Sequence, residues 1–184
     1  MAERGRVIRP GLGLLAILFV ALSPAIGAVN PVKDSEKVSG YLADAKTQAI
    51  QLQKEAEEMN GFVWSGRSWQ TDAFKLSLIK DHVNKIGKLM AEMNDARATA
   101  SPWQQDAMDR VRPMVRELAG NVDAQIQFLR KHQGHLLDSA YADCAAANVG
   151  TSTEVAQMFS DFVAYGDAKH KAESLEIEYE LPIS

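Results

Sequence analysis

The stretch SPWQQDAMDRVRPMVRELAGNVDAQIQFLRKHQ, Ser101 to Gln133, decides the fold class of this chain. It opens with a clear helix start, in which Ser101 caps, Pro102 takes the first helical position and Gln104 completes a capping box. Apolar or large residues then recur at steps of three and four, which predicts a helix about 45 Å long that needs a partner surface. The members of this stripe are Trp103, Ala107, Val111, Met114, Leu118, Val122, Gln125, Leu129 and His132.

A proline lies inside this stretch, at Pro113. An interior proline loses one backbone hydrogen bond and clashes with the preceding turn, so it either ends a helix or bends it. The apolar stripe keeps its phase from Val111 through Leu118. A broken helix would have no reason to keep phase, and we therefore expect a kink at Pro113 and not a terminus.

Two helices are predicted before this stretch. The first covers roughly residues 35–59, carries three alanines on its apolar seam and ends at the stop pair Asn60-Gly61. The second covers roughly 71–98 and is joined to Ser101 by a very short turn. Because short turns between long helices make neighbours antiparallel, the order of the first three helices is expected to be up, down, up.

A fourth long helix is predicted over roughly residues 152–173, opened by a second capping box at Thr151 to Glu154. The Ala-rich residues 135–149 are expected to hold a short extra helix that ends at Asn148 and Gly150. Few prolines and glycines and 46% hydrophobic residues favour a packed helical domain. The prediction is an all-α, antiparallel up-down four-helix bundle with a kinked third helix and a short extra helix between helices three and four.

The first 28 residues have the pattern of a secretory signal peptide. Arg4, Arg6 and Arg9 precede an apolar run from residue 12 to residue 22, and the small residues of SPAIGA follow. Cleavage is expected near Gly27 or Ala28, and an uncleaved anchor is the alternative. The apolar run is shorter than the ~20 residues of a spanning helix, so no stable membrane span is expected after cleavage. Residues 29–184 are then expected to form a single periplasmic or secreted bundle domain of a bacterial protein, with an acidic and apolar tail over 175–184.

Charge and cysteine content exclude several kinds of partner and site. Without residues 1–28, the chain has 17 Lys plus Arg and 23 Asp plus Glu, a formal net charge of −6 with both signs interspersed. This composition argues against nucleic acid as a partner. Cys144 is the only cysteine, which excludes an intramolecular disulfide and CxxC metal sites. Burial of Cys144 is the favoured interpretation, and an intermolecular disulfide is the alternative.

The histidines do not predict a metal or haem site. His82, His132, His135 and His170 are expected at different levels of the bundle, and the Glu-x-x-His set of di-iron bundles is missing. The architecture resembles that of exported four-helix cytochromes, but the chain has no CxxCH motif. It also has no methionine in the first helix level with His170. No metal and no cofactor are expected.

Catalysis has no support in the sequence. A GxSxG motif, a phosphate-binding loop and a cysteine close to a histidine are all missing from the 184 residues. We therefore expect a protein that is not an enzyme.

Three groups of residues are candidates for binding. The first is an aromatic and arginine patch in the first loop, which either plugs the open end of the bundle or binds a partner. The second is an interior waist of mid-helix glycines and the proline, which either packs tightly or surrounds a small cavity. The third is a tail whose apolar residues alternate with glutamates, either a fraying helix end or an extended segment that adds to a partner's sheet. The patch is Phe62, Trp64, Arg67 and Trp69, the waist is Gly87, Pro113, Gly120 and Gly166, and the tail is Leu175, Ile177, Tyr179 and Leu181.

These observations lead to one functional expectation and one alternative. The chain is expected to be an exported, non-enzymatic interaction or binding module of the cell envelope with a protein partner. That partner is either another protein or a second copy of the chain in a homodimer. The alternative is a carrier that holds a small apolar ligand, haem or a metal inside the bundle.

Overall fold

A computed structural model describes residues 33–63, 65, 68–133 and 138–179. In these ranges the chain forms four α-helices and one short 3-10 helix, and it contains no strand. The prediction of an all-helical, four-helix protein is therefore confirmed. The elements in chain order are α1 (Glu36–Gly61), α2 (Trp69–Asp95), the 3-10 helix (Arg97–Thr99), α3 (Pro102–Lys131) and α4 (Ser139–Glu178).

The core lies where the apolar stripes of the helices meet. Helix α1 packs against α2 and α4, and α3 packs against the same two helices. In α1 and α2 the buried apolar side chains recur at three- and four-residue steps, because residues at these steps share one face of each helix. The buried members are Val38, Leu42, Ala45, Ala49, Leu52, Ala56 and Met59 in α1, and Leu76, Ile79, Val83, Ile86, Met90 and Met93 in α2.

Helix α3 begins at Pro102 and runs without a break through Pro113. The expectation that Pro113 does not end the helix is confirmed. At the start of α3 the side chain of Gln104 is fully buried, and its Oε1 accepts the backbone N–H of Ser101 at 3.0 Å. The same amide holds the residue before α1, accepting from the Ser35 N–H and donating to the Ser35 carbonyl, both at 3.0 Å. Gln104 therefore joins the beginnings of α1 and α3.

The prediction of a short extra helix before the last long helix is wrong. Residues Ser139–Glu178 form one continuous helix of 40 residues, about 60 Å long, and Asp138 caps it by accepting the Ala140 N–H at 2.8 Å. The apparent second capping box lies within this helix. The Ser152 hydroxyl donates to the Val149 carbonyl at 3.0 Å, and this local bond lets a capping residue type sit mid-helix.

The tail continues α4 and is not a strand as far as the structure describes it. The helix extends to Glu178 with Tyr179 at its end, so the extended interpretation of the alternating pattern is wrong and the helix-end interpretation is confirmed there. Leu181 lies outside the described residues, as does the predicted signal peptide over 1–28. Across the described ranges, no helix is both long enough and apolar enough to cross a membrane.

Candidate functional site

A hollow with an apolar floor lies between the first half of α2 and the last turns of α3, and we call it the α2–α3 groove. Its volume is about 330 Å³. The α2 side chains recur at steps of three and four from Trp69 to Lys80, and the α3 side chains do so from Ile126 to Gln133. One face of each helix therefore lines the groove. The lining residues are Trp69, Ala73, Leu76, Ser77, Lys80, Ile126, Leu129, Arg130 and Gln133.

Burial divides this lining into a floor and a rim. Leu76 and Leu129 are 1% and 4% exposed and form the apolar floor. The rim is polar and exposed, and its charged members are Lys80 on α2 and Arg130 on α3. Trp69 forms one end wall, and its ring remains 37% exposed. An apolar floor with polar groups at the edge is the usual construction of a binding site.

The two cations of the rim stand free of salt bridges within the part of the chain that the structure describes. The nearby Lys75 differs, because its Nζ lies 2.9 Å from carboxylate oxygens of both Glu55 and Glu58. These hydrogen bonds raise the pKa of Lys75, so the lysine stays protonated and the two carboxylates compensate its charge. Lys80 and Arg130 therefore present uncompensated positive charge on opposite sides of the groove.

The start of α2 fixes the position of Trp69. Ser68 caps the helix, and its hydroxyl accepts the Thr71 N–H at 3.3 Å. Trp69 is then the first residue of the helix, one turn before Ala73 on the groove face. The cap thus places a large aromatic ring at the mouth of the groove.

A second hollow of about 350 Å³ lies further along the same pair of helices. Gly87 and Met90 line it from α2, and Arg112 and Arg116 line it from α3. Arg112 donates to the Asn94 side chain at 3.0 Å, closing the far end. The α2–α3 side of the bundle therefore carries two hollows whose charged lining residues are all cations.

The structure places two residues of the predicted aromatic patch and leaves the other two undetermined. Trp69 lines the α2–α3 groove, whereas Phe62, at the end of α1, is 41% exposed and does not line it. Trp64 and Arg67 lie outside the described residues. Trp69 is therefore the residue of this patch that the structure places at the groove.

The four residues of the predicted waist do not line one interior space. Gly87, Pro113 and Gly120 are exposed, and a Cβ atom added at either of these glycines would meet nothing within 4 Å. Only Gly166 is buried, and its added Cβ would lie 3.0 Å from Cη2 of Trp103. Gly166 is needed for the close approach of the Trp103 ring, and the two exposed glycines have no such contact.

The region around Asp34 is the main ionic cluster of the bundle. The side chain of Asp34 is 1% exposed and accepts the indole N–H of Trp103 at 2.7 Å and Lys169 Nζ at 2.9 Å. Burial alone would raise the pKa of Asp34, but its contacts with Ser101, Lys169 and Trp103 outweigh this and lower it. Lys169 also bonds Glu173 at 2.9 Å. The cluster fastens the segment before α1 to α3 and α4.

A buried polar layer joins α2, α3 and α4 near the other end. The Tyr141 hydroxyl donates to Asp72 at 3.1 Å, and burial, followed by the charge of Asp72, raises the pKa of Tyr141. Asn148 donates to the Gln125 Oε1 at 2.6 Å. The Gln125 side chain acts in the opposite direction and lowers the pKa of Tyr141, yet Gln125 Nε2 and Asn148 Oδ1 have no hydrogen-bond partner among the described residues. The layer is thus paired only in part.

The remaining titratable candidates are dispersed. His82 bonds Gln48 at 2.9 Å, His132 bonds the Phe128 carbonyl at 3.1 Å, and His170 lies 3.7 Å from Asp34. Burial and then the charge of Lys85 lower the pKa of His82. Cys144 is half-buried, and burial raises the pKa of its thiol. Within the described ranges, no three His, Cys, Asp or Glu side chains are grouped so that they could hold a metal ion.

Lys80 and Arg130 were missed by the sequence analysis, although a signal for them exists. The steps from Trp69 through Ala73, Leu76 and Lys80 follow one helix face beside the core stripe, as the steps through Ile126 and Arg130 do on α3. Comparison with known proteins adds no further residues, since no family model, no curated protein and no solved structure matches this chain.

Proposed function

We propose that this chain is a non-enzymatic binding module whose α2–α3 groove receives an apolar group that carries a negative charge. The observation that carries the proposal is the combination of an apolar floor with a rim whose charged side chains, among the residues that the structure describes, are Lys80 and Arg130. Binding is favoured over catalysis because the lining residues that the structure describes offer two cations and a hydroxyl, without a carboxylate, imidazole or thiol to act as base or nucleophile.

The size of the groove limits what can enter it. A volume of about 330 Å³ lies at the lower end of the range of small-molecule sites, roughly 300–1,000 Å³. It suits one or two large side chains of a partner, or one small aromatic anion. We propose a protein partner, because large apolar side chains are also exposed near this end of the bundle, Phe62 at 41% and Phe74 at 62%.

We further propose that the module works outside the cytoplasm, in the periplasm or after secretion. The support is the basic, apolar and small-residue order of residues 1–28. A carrier function inside the bundle is not proposed, because Gly87 and Gly120, which would have lined the interior, are exposed.

The finer features of the fold are part of the same proposal. An antiparallel up-down order is supported by contacts that pair helix starts with helix ends, such as Lys75 of α2 with Glu58 of α1. Asn94, late in α2, likewise bonds Arg112, early in α3. A bend at Pro113 is proposed because proline removes one backbone hydrogen bond from a helix that continues past it.

An anionic apolar dye, 8-anilinonaphthalene-1-sulfonate, tests the groove directly. We expect the purified protein to bind it with enhanced fluorescence. Lys80→Glu/Arg130→Glu should weaken this binding at least about tenfold, because each rim charge becomes repulsive. Ser77→Trp, which fills the groove from its exposed edge, should also abolish the signal.

The matched control is Lys54→Glu/Lys85→Glu, which changes the net charge equally at exposed positions outside the groove. It should leave dye binding within about twofold of the parent. If the control weakens binding as much as the rim variant, the dye senses net charge alone and the proposal is wrong. Equal binding by parent and Ser77→Trp would also contradict it.

A further inference from the structure

The last turns of α4 extend past the other helices and expose apolar side chains. Beyond Lys169, every described residue of the helix is exposed or half-buried. Leu175 is 40% exposed, Ile177 81% and Tyr179 63%. Leu175 and Tyr179 are four residues apart and lie on the same side of the helix. We call residues 172–179 the α4 terminus.

Two carboxylates border this apolar side. At 100° per residue, Glu176 and Glu178 lie about 80° to either side of the line through Leu175 and Tyr179. Glu173 is bonded to Lys169, but Glu176 and Glu178 form no salt bridge with any residue that the structure describes. The α4 terminus is therefore an apolar ridge with a free negative charge on each flank.

This pattern complements the α2–α3 groove. The groove has an apolar floor of Leu76 and Leu129 and a free positive charge on each rim. Its α2 lining, from Trp69 to Lys80, is about 17 Å long, enough for the roughly 11 Å of the α4 terminus. We infer that the groove receives the α4 terminus of a second copy of this chain, with Leu175 and Tyr179 on its floor and one glutamate facing each cation.

The contact has to form between two copies. Tyr141, at the start of α4, bonds Asp72, near the start of α2 and beside the groove. Leu175 lies about 50 Å further along the same helix, so no chain reaches its own groove. Leu175 and Tyr179 lie on the side of α4 opposite the buried Gly166, so each contact joins the groove of one copy to the terminus of another. A dimer is therefore the first product, and it leaves one groove and one terminus free for further copies.

The inference rests on the binding role proposed for the groove, and charge exchange tests it. Sedimentation velocity of the full chain, as processed by the expressing cell, should show concentration-dependent dimers. Lys80→Glu/Arg130→Glu and Glu176→Lys/Glu178→Lys should each weaken dimerisation at least about tenfold, because like charges then face each other. An equimolar mixture of the two variants should form heterodimers close to parental strength, since every groove again meets a terminus of opposite charge.

The control is again Lys54→Glu/Lys85→Glu, which should dimerise as the parent does. A parent that stays monomeric at every concentration overturns the inference. So does a dimer that both reversed variants retain, because the contact then lies elsewhere. In either case the dye still reports on the groove, and a monomer that binds the dye with the predicted rim dependence leaves the proposed function standing. If the parent neither dimerises nor binds the dye with the predicted rim dependence, both the inferred contact and the proposed function are wrong.

Discussion

Gly166→Ala should destabilise the protein, although alanine is the better helix former. Replacing a mid-helix glycine by alanine is worth about 1 kcal/mol of stability where the added methyl group has room. At Gly166 the new Cβ would lie 3.0 Å from Cη2 and 3.3 Å from Cζ2 of Trp103. Such contacts are too short, so either α4 or the indole ring must shift.

The Trp103 ring has little freedom to shift. Its N–H donates to Asp34 at 2.7 Å, and its face meets Tyr165 edge-on with ring centroids 5.3 Å apart. Overpacking a fixed neighbour costs about 1–3 kcal/mol. Subtracting the gain in helix propensity leaves a net loss of about 1 kcal/mol in the free energy of unfolding.

Gly120→Ala is the matched control, because nothing lies within 4 Å of its added Cβ. Urea unfolding followed by far-UV circular dichroism should show Gly120→Ala stabilised by about 1 kcal/mol and Gly166→Ala destabilised by a similar amount. In a Trp103→Phe background, where the smaller ring leaves room, Gly166→Ala should become neutral or stabilising. If Gly166→Ala stabilises the parent as Gly120→Ala does, the reasoning about Trp103 is wrong.

Two further predictions concern the buried polar groups. Asp34→Asn should lower the free energy of unfolding by about 2 kcal/mol at neutral pH, because a buried charge-assisted bond to Lys169 is lost. The folded-state pKa of Asp34 lies below the 3.8 of an unfolded carboxyl, so this contribution is complete above pH 3.8 and lost as the pH falls through the folded-state pKa. The stability difference between parent and variant in urea titrations should therefore shrink in acid, and a constant difference would refute this account. In the pair Gln125 and Asn148, Gln125→Leu alone should cost about 1–3 kcal/mol because it leaves the Asn148 amide buried without its acceptor. Gln125→Leu/Asn148→Leu should cost less than Gln125→Leu in thermal unfolding, and a strictly additive loss would contradict that reasoning.

The helices were predictable from the sequence wherever local signals agreed. For α1 the stripe from Val38 to Met59 gave every buried position. For α3, Pro102 predicted where the helix begins, and the unbroken apolar phase across Pro113 predicted that the helix continues past it. These features depend on residues within a few turns of each other, which the sequence displays directly.

The error in α4 has a different origin. Gly150 and the Thr151–Glu154 box carry every local signal of a helix boundary, but α4 passes through them. Thr151 accepts a hydrogen bond from Asn121 at 3.3 Å, and Asn148 bonds Gln125. Both partners belong to α3. Polar residues of a type that often caps helices thus form hydrogen bonds to a neighbouring helix instead. Only the tertiary contact shows this role.

The groove needed the structure for the same reason. Trp69 attracted attention as an aromatic residue, but its neighbours Lys80 and Arg130 are ordinary exposed cations in sequence. Lys80 and Arg130 become neighbours of one groove only because one face of α2 packs beside one face of α3. Sequence spacing alone does not show which helix faces pack together. Once the two faces are opposed, both cations border one apolar floor. The glutamates of the α4 terminus likewise become candidates for a contact only in the structure, because α4 extends beyond the core and leaves them exposed or half-buried. Trp69 of the aromatic patch and the apolar residues Leu175 and Tyr179 of the tail, separate in sequence, then belong to one proposed contact.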